Sequence, residues 1–159
     1  MTSPTHTSWK TELLHRLQNI DPYQFEKLCG KLLKAMGATN VKVTQRSHDG
    51  GIDGTATMHA NPLSVDMAFQ CKRRKGTIGE KDIRDFLGAL TKLRNKQGLF
   101  ITTGRYTKTA RQTAKDNLIY EIHLIDGDDL CSLMEIHRIG IKMQTVIDEA
   151  FFADLKKKP

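Results

Sequence analysis

Residues 65–72 alternate between two faces of an extended strand. Val65, Met67, Phe69 and Cys71 fall on one side, and Asp66, Ala68, Gln70 and Lys72 on the other. This follows from the two-residue period of a β-strand, which no helix shares. The apolar side demands a covering layer, so the segment belongs to a packed sheet. The other side brings Gln70 and Lys72 together at one end, with Cα atoms about 6.5–7 Å apart by strand rise. Upstream, in Gly50-Gly51-Ile52-Asp53-Gly54, a second short segment places Asp53 at a strand bend. Taken singly, Asp49-Gly50 and Asp53-Gly54 are ordinary turn dipeptides. Their meaning changes because Gln70 and Lys72 follow on the next strand.

A carboxylate and an amide oxygen are hard donors suited to a magnesium-like ion. A nearby ammonium can hold an attacking water and offset charge developing on a phosphate. Asp53, Gln70 and Lys72 together are therefore suited to phosphodiester hydrolysis.

The rest of the chain supplies helices and strands in alternation. Residues 1–7 read as disordered, and Trp9, Leu13, Leu14 and Leu17 have helical spacing. Asp21, Pro22 and Gln24 form a helix start of capping-box type. Phe25, Leu28, Cys29, Leu32, Leu33 and Met36 make that helix's buried stripe, with Gly37 as its stop. Glu26 lies at the edge of this stripe, placed to reach inward. Val41 and Val43 mark a first strand, 52–58 a second and 65–72 a third. A helix is predicted over 79–95 with Ile83, Phe86, Leu87, Leu90 and Leu93 inward. A strand over 99–103, a helix over 106–117, a strand over 119–125 and a helix over 128–137 follow. Val146, Ile147, Ala150 and Phe151 suggest a last helix before Lys156-Lys157-Lys158. This order predicts an α/β fold, with a mixed central sheet flanked by helices.

Charge indicates the partner. The chain of 159 residues carries a formal net charge of +7, so its surface attracts polyanions. Arg73, Arg74 and Lys75 follow directly on Lys72. With Arg84, Lys108 and Arg111 they are the candidate phosphate contacts, although a charge run at a strand end is also what a solvated turn looks like. Thr102, Thr103 and Gly104 sit at a strand-to-helix junction, where free N–H groups suit an anion; helix capping by Thr107 explains them equally well. No apolar run approaches a membrane span, and the polar start lacks a signal-peptide core. The expected location is the cytoplasm. The three cysteines form no CxxC or zinc pattern and read as reduced, buried hydrophobes.

The run His48-Asp49-Gly50-Gly51-Ile52-Asp53-Gly54, followed by Gln70-Cys71-Lys72-Arg73, resembles the catalytic domain of Mrr-type restriction endonucleases. These belong to the PD-(D/E)xK nuclease superfamily, with glutamine in place of the last acidic residue. The likeness continues through residues 98–104 and 124–127 and spans about 22–133. It implies an αβββαβ core and a restriction-type, metal-dependent DNA endonuclease using Mg or Mn on double-stranded DNA, with 5′-phosphate and 3′-hydroxyl products. By the same resemblance, Asp53 is the metal-bridging aspartate and Gln70 an uncharged ligand. Lys72 is the catalytic lysine, and Glu26 a further ligand or a partner of the lysine. Asp49 becomes an outer-shell partner, and His48 a turn residue.

The expected organisation is a leading segment over 1–20, a nuclease domain over 21–138, and a C-terminal helix and basic tail over 139–159. Relatives often carry a separate DNA-recognition domain, so recognition is expected to be either absent or supplied by another chain. A homodimer through Phe151 and Phe152 is expected if both strands are cut. Two alternatives stay open: a structure-selective resolvase or repair nuclease, and a DNA-binding module without activity.

Overall fold

The computed structural model describes residues 8–44, 51–94 and 97–157. His48 and Asp49 lie outside the described residues. The elements are α1 (Trp9–Asn19), α2 (Pro22–Ala35), β1 (Thr39–Val43), β2 (Gly54–Ala60), β3 (Leu63–Lys72), β4 (Thr77–Ile78), α3 (Glu80–Leu90), β5 (Gln97–Thr102), β6 (Arg105–Tyr106), α4 (Lys108–Asp116), β7 (Glu121–Ile125), α5 (Gly127–Ile136) and α6 (Glu149–Leu155). A five-stranded sheet has the order β1-β2-β3-β5-β7. β1, β2 and β3 pair antiparallel, whereas β5 and β7 run parallel to β3. The fold is the mixed, helix-flanked α/β sheet expected from the element order.

β3 is the middle strand, and its alternation sorts the two cores. Met67, Phe69 and Cys71 pack with Phe25, Cys29, Leu32 and Leu33 of α2 and with Leu130 and Met134 of α5. On the opposite face, Ala68 packs with Ile83, Phe86 and Leu90 of α3 and with Ala110 and Ala114 of α4. Phe25, Phe69, Phe86 and Phe100 are fully buried. Each contributes about 1.5–3 kcal/mol relative to exposure. Gln70 and Lys72, two and four positions beyond Ala68, therefore open toward the α3 side.

α2 starts as its sequence specifies. The Asp21 carboxylate accepts the N–H of Tyr23 at 2.9 Å and of Gln24 at 3.3 Å, and Gln24 Oε1 accepts the Asp21 N–H at 3.4 Å. Gly37 then turns the chain with φ 97°, a conformation that favours glycine.

Several expectations are corrected. Tyr106 does not open a helix: it ends β6, and its hydroxyl donates to the Phe100 carbonyl at 2.7 Å. The α4 N-cap is Thr107, which accepts the Ala110 N–H. α3 ends at Leu90, so Leu93 falls beyond it and is exposed. Ile52 precedes β2, and Ile119 precedes β7 and is exposed. Val146 and Ile147 precede α6, and α6 buries no residue. Val146, Ile147, Phe151 and Phe152 are all exposed.

Gly54 is not a turn residue. It begins β2, opposite Phe69. A Cβ at this position would lie 2.3 Å from the Lys42 carbonyl oxygen and 2.3 Å from Phe69 Cζ. One obstacle is backbone and the other a fully buried ring, so neither yields. Gly54→Ala is expected to destabilise the protein by about 1–3 kcal/mol or more, as overpacked cores do. Chemical denaturation measures this, and unchanged stability would contradict the packing described.

Candidate active site

Asp53 is fixed where β1, β2 and β3 meet. Its carbonyl accepts the Thr44 N–H at 2.8 Å, and its own N–H donates to the Phe69 carbonyl at 2.9 Å. Its carboxylate Oδ2 accepts the Cys71 N–H at 2.7 Å. One carboxylate oxygen is thus tied to the strand that carries Gln70 and Lys72, and the other remains for a ligand. Burial raises the Asp53 pKa above its ordinary value, only partly opposed by the Cys71 hydrogen bond. Among the described residues, no cation pairs with this half-buried carboxylate.

Gln70 turns its amide toward the segment leading into Asp53. A Cβ at Gly51 would sit 3.6 Å from both terminal atoms of Gln70. Glu26, on α2, approaches from the other face of the sheet. Its charge reaches the Cys71 thiol, which burial first, then Cys29, Asp53 and Glu26, push well above its ordinary pKa.

Lys72 ends β3 and points toward α3. Its Nζ forms an ion pair with Asp82 Oδ1. Asp82 Oδ2 accepts the Gly79 N–H at 3.0 Å and lies 3.3 Å from Arg74 Nη1. Asp82 is thus paired with two cations, Lys72 and Arg74. Sequence reasoning missed it. The available signal was an acid three residues after Gly79, at the third position of a helix, where a carboxylate reaches back to the free N–H groups.

The strand end is stitched by hydroxyls. Thr102 Oγ1 donates to the Lys72 carbonyl at 2.8 Å, and Thr103 Oγ1 donates to the Arg74 carbonyl at 2.7 Å. The Gly104, Arg105 and Thr107 N–H groups donate to Thr102 Oγ1, the Gly76 carbonyl and the Ile78 carbonyl. The junction's N–H groups at these three positions serve the fold and are not offered to an anion.

The basic residues divide into two sets. Arg73 donates to the Gln18 carbonyl at 2.8 Å, and Arg74 to the Thr77 carbonyl at 3.1 Å. Arg84 pairs with Glu80 at 2.6 Å and Arg111 with Asp126 at 2.9 Å. Lys75 and Lys108 are exposed, and their side chains have no acceptor among the described residues.

The Mrr catalytic-domain sequence model, described as a restriction endonuclease, matches residues 17–134. The chain belongs to this restriction endonuclease family. Over 135 residues this Mrr-type domain is 30% identical to the type IV methyl-directed restriction enzyme EcoKMrr of Escherichia coli (strain K12), covering 82% of this chain and 43% of that protein. Two solved structures share the fold. The DNA modification-dependent restriction endonuclease AspBHI aligns with TM-score 0.66 at 21% identity, over 85% of this chain and 36% of that one. The MspJI restriction endonuclease, in complex with a 27-mer oligonucleotide, aligns with TM-score 0.59 at 22% identity, over 83% and 32%. The chain spans less than half the length of these relatives.

Restriction endonucleases of this kind generally use divalent metal ions, and the Mrr-type site fits one. Asp53 offers a half-buried carboxylate oxygen with no counter-charge among the described residues, and the Gln70 amide faces Gly51 in the segment leading into it. Among the described residues, no three His, Cys, Asp or Glu side chains cluster as metal ligands. A metal held here could take the Gln70 amide oxygen as a neutral ligand beside carboxylate.

Proposed function

We propose that the chain is the cleavage domain of a metal-dependent DNA endonuclease directed at foreign or modified DNA, as in restriction. The observation that supports this best is the arrangement at the end of β3. A carboxylate with no counter-charge among the described residues is tied to the backbone of the strand that presents Gln70 and Lys72. Asp53 and Gln70, with Glu26 from α2, would hold Mg or Mn, which lowers the pKa of bound water and polarises a phosphoryl oxygen.

The chain's own groups supply the rest. The Lys72 ammonium orients the attacking water and offsets charge growing on the scissile phosphate. Attack opposite the 3′-oxygen leaves a 5′-phosphate and a 3′-hydroxyl. Lys75 and Lys108 are the side chains readiest for backbone phosphates. Arg73, Arg74, Arg84 and Arg111 must first leave the partners described above. Such contacts hold DNA without reading its sequence. We assign selection of a modified base to a partner chain or to protein outside this domain. One site cuts one strand, so double-strand breaks call for two copies. The exposed Phe151 and Phe152 of α6 are our candidate contact.

Supercoiled plasmid, methylated and unmethylated, tests the reading. Nicking and linearisation are expected with magnesium or manganese, and none in excess chelator. Undiminished cleavage under chelation would sink the metal-dependent reading.

A further inference from the structure

An acid that pairs with Lys72, Asp82, lies outside the set Asp53, Gln70 and Glu26. Asp82 sits in the first turn of α3, on the side of the sheet toward which Gln70 and Lys72 open. Its side chain is 15% exposed, against 33% for Lys72. Three separate donors converge on its two oxygens: Lys72 Nζ on Oδ1, and the Gly79 N–H and Arg74 on Oδ2. The backbone bond from Gly79 and the guanidinium fix the carboxylate, which in turn fixes the end of the lysine. A lysine has a long, flexible stem with several rotatable bonds. At the end of a strand it sweeps a wide arc unless something holds its tip.

We propose that Asp82 is the positioning residue for Lys72, holding its ammonium at the mouth of the site where a scissile phosphate would take over the contact. The proposal rests on the reading of Lys72 as the lysine of the cleavage site. Burial alone would raise the Asp82 pKa. The Lys72 hydrogen bond, the Gly79 N–H and the charges of Lys72 and Arg74 outweigh it, and the carboxyl lies below its ordinary value. Asp82 therefore stays ionised through the neutral range, as an anchor for an ammonium must. The same geometry gives Arg74 a second duty, as a brace on Asp82 instead of a phosphate contact alone. A role confined to helix capping would need only the Gly79 bond, and it would not explain two cations on one carboxylate.

The test compares wild type, Asp82→Asn, Asp82→Ser, Asp82→Glu, Lys72→Ala and the double variant Lys72→Ala/Asp82→Asn. Each full chain is assayed on supercoiled plasmid with magnesium, in single turnover at saturating enzyme. Thermal melting and DNA affinity are measured alongside. Asn and Ser both keep an acceptor for the Gly79 N–H but lose the charge. Both are expected to fold, to bind DNA as wild type does, and to cleave about 10–100-fold more slowly, the scale of a small misplacement of a reacting group. Asp82→Glu should recover part of the rate. In the Lys72→Ala background, Asp82→Asn should have little further effect, because Asp82 acts through the lysine.

Wild-type cleavage by a folded Asp82→Asn or Asp82→Ser, with Lys72→Ala inactive, would overturn the proposal and leave the cleavage reading standing. A full additional loss in the double variant would overturn it too. Wild-type cleavage by Lys72→Ala would instead remove the reading on which the proposal rests.

Discussion

Asp53→Ala and Asp53→Asn are both expected to lose metal-dependent plasmid cleavage, and Asp53→Asn to do so without loss of metal-free stability. The two variants separate the roles of one carboxylate. Alanine removes the acceptor for the Cys71 N–H at 2.7 Å as well as the ligand. A buried donor left without a partner costs about 1–3 kcal/mol, so this variant should melt lower. Asparagine keeps an acceptor for Cys71 and removes only the negative charge.

The sign follows from burial. The Asp53 pKa is raised in the folded protein, so its contribution to stability is fully present below the unfolded pKa and lost as pH rises through the raised value. At pH 7 the ionised wild type carries that cost and Asp53→Asn does not. Without metal, the Asn variant is therefore at least as stable at pH 7, and the difference shrinks toward acid pH. Calorimetric titration with magnesium should show weakened binding in both variants. Cleavage by Asp53→Asn at the wild-type rate, or a markedly lower metal-free melting temperature at pH 7, would contradict this account.

What the sequence reveals of the fold is what local periodicity encodes. The alternation of residues 65–72 places Met67, Phe69 and Cys71 against α2 and α5, and Ala68 against α3 and α4. It also turns Gln70 and Lys72 the same way. The Asp21-Pro22-Gln24 cap of α2 is equally local, and it forms. The β4–β6 ladder is not legible, because each strand has two residues and their pairing joins Thr77 to Arg105 across α3 and β5. Too short to show a period, it also draws Tyr106 out of the expected helix.

Asp82 was hidden for a related reason. On its own helix it looks like one more polar residue of a first turn. Its meaning comes from Lys72, ten residues back across β4. The hydroxyls of Thr102 and Thr103 behave likewise: a threonine pair after a strand suggests a cap or an anion site, and only the parallel register Lys72↔Thr102 shows them extending the bonding of β3. In the C-terminal region, apolar spacing at Val146, Ile147 and Phe151 suggested a helix through all three, but the helix begins only at Glu149.

Lys72→Ala is expected to slow single-turnover cleavage by about 10²–10³-fold, the scale for losing a donor that stabilises transition-state charge. Three properties should survive the change, and together they identify the loss as catalytic. The fold survives because Asp82 keeps Arg74 and the Gly79 N–H, so truncating the lysine leaves no isolated buried charge. Metal affinity survives because the proposed ligands are Asp53, Gln70 and Glu26, and the lysine is not one of them. DNA affinity survives because Lys75, Lys108 and the neighbouring arginines remain, and binding through backbone phosphates is spread over many cations. Lys72→Arg should restore little. A planar guanidinium prefers two-pronged pairing with a carboxylate, and Asp82 stands beside it to accept that pairing, which would draw the charge away from the phosphate. Cleavage, melting, magnesium binding and DNA binding measured on the same preparations decide the matter. A Lys72→Ala protein that binds DNA and metal normally and still cleaves within a few-fold of wild type would remove the lysine from the mechanism.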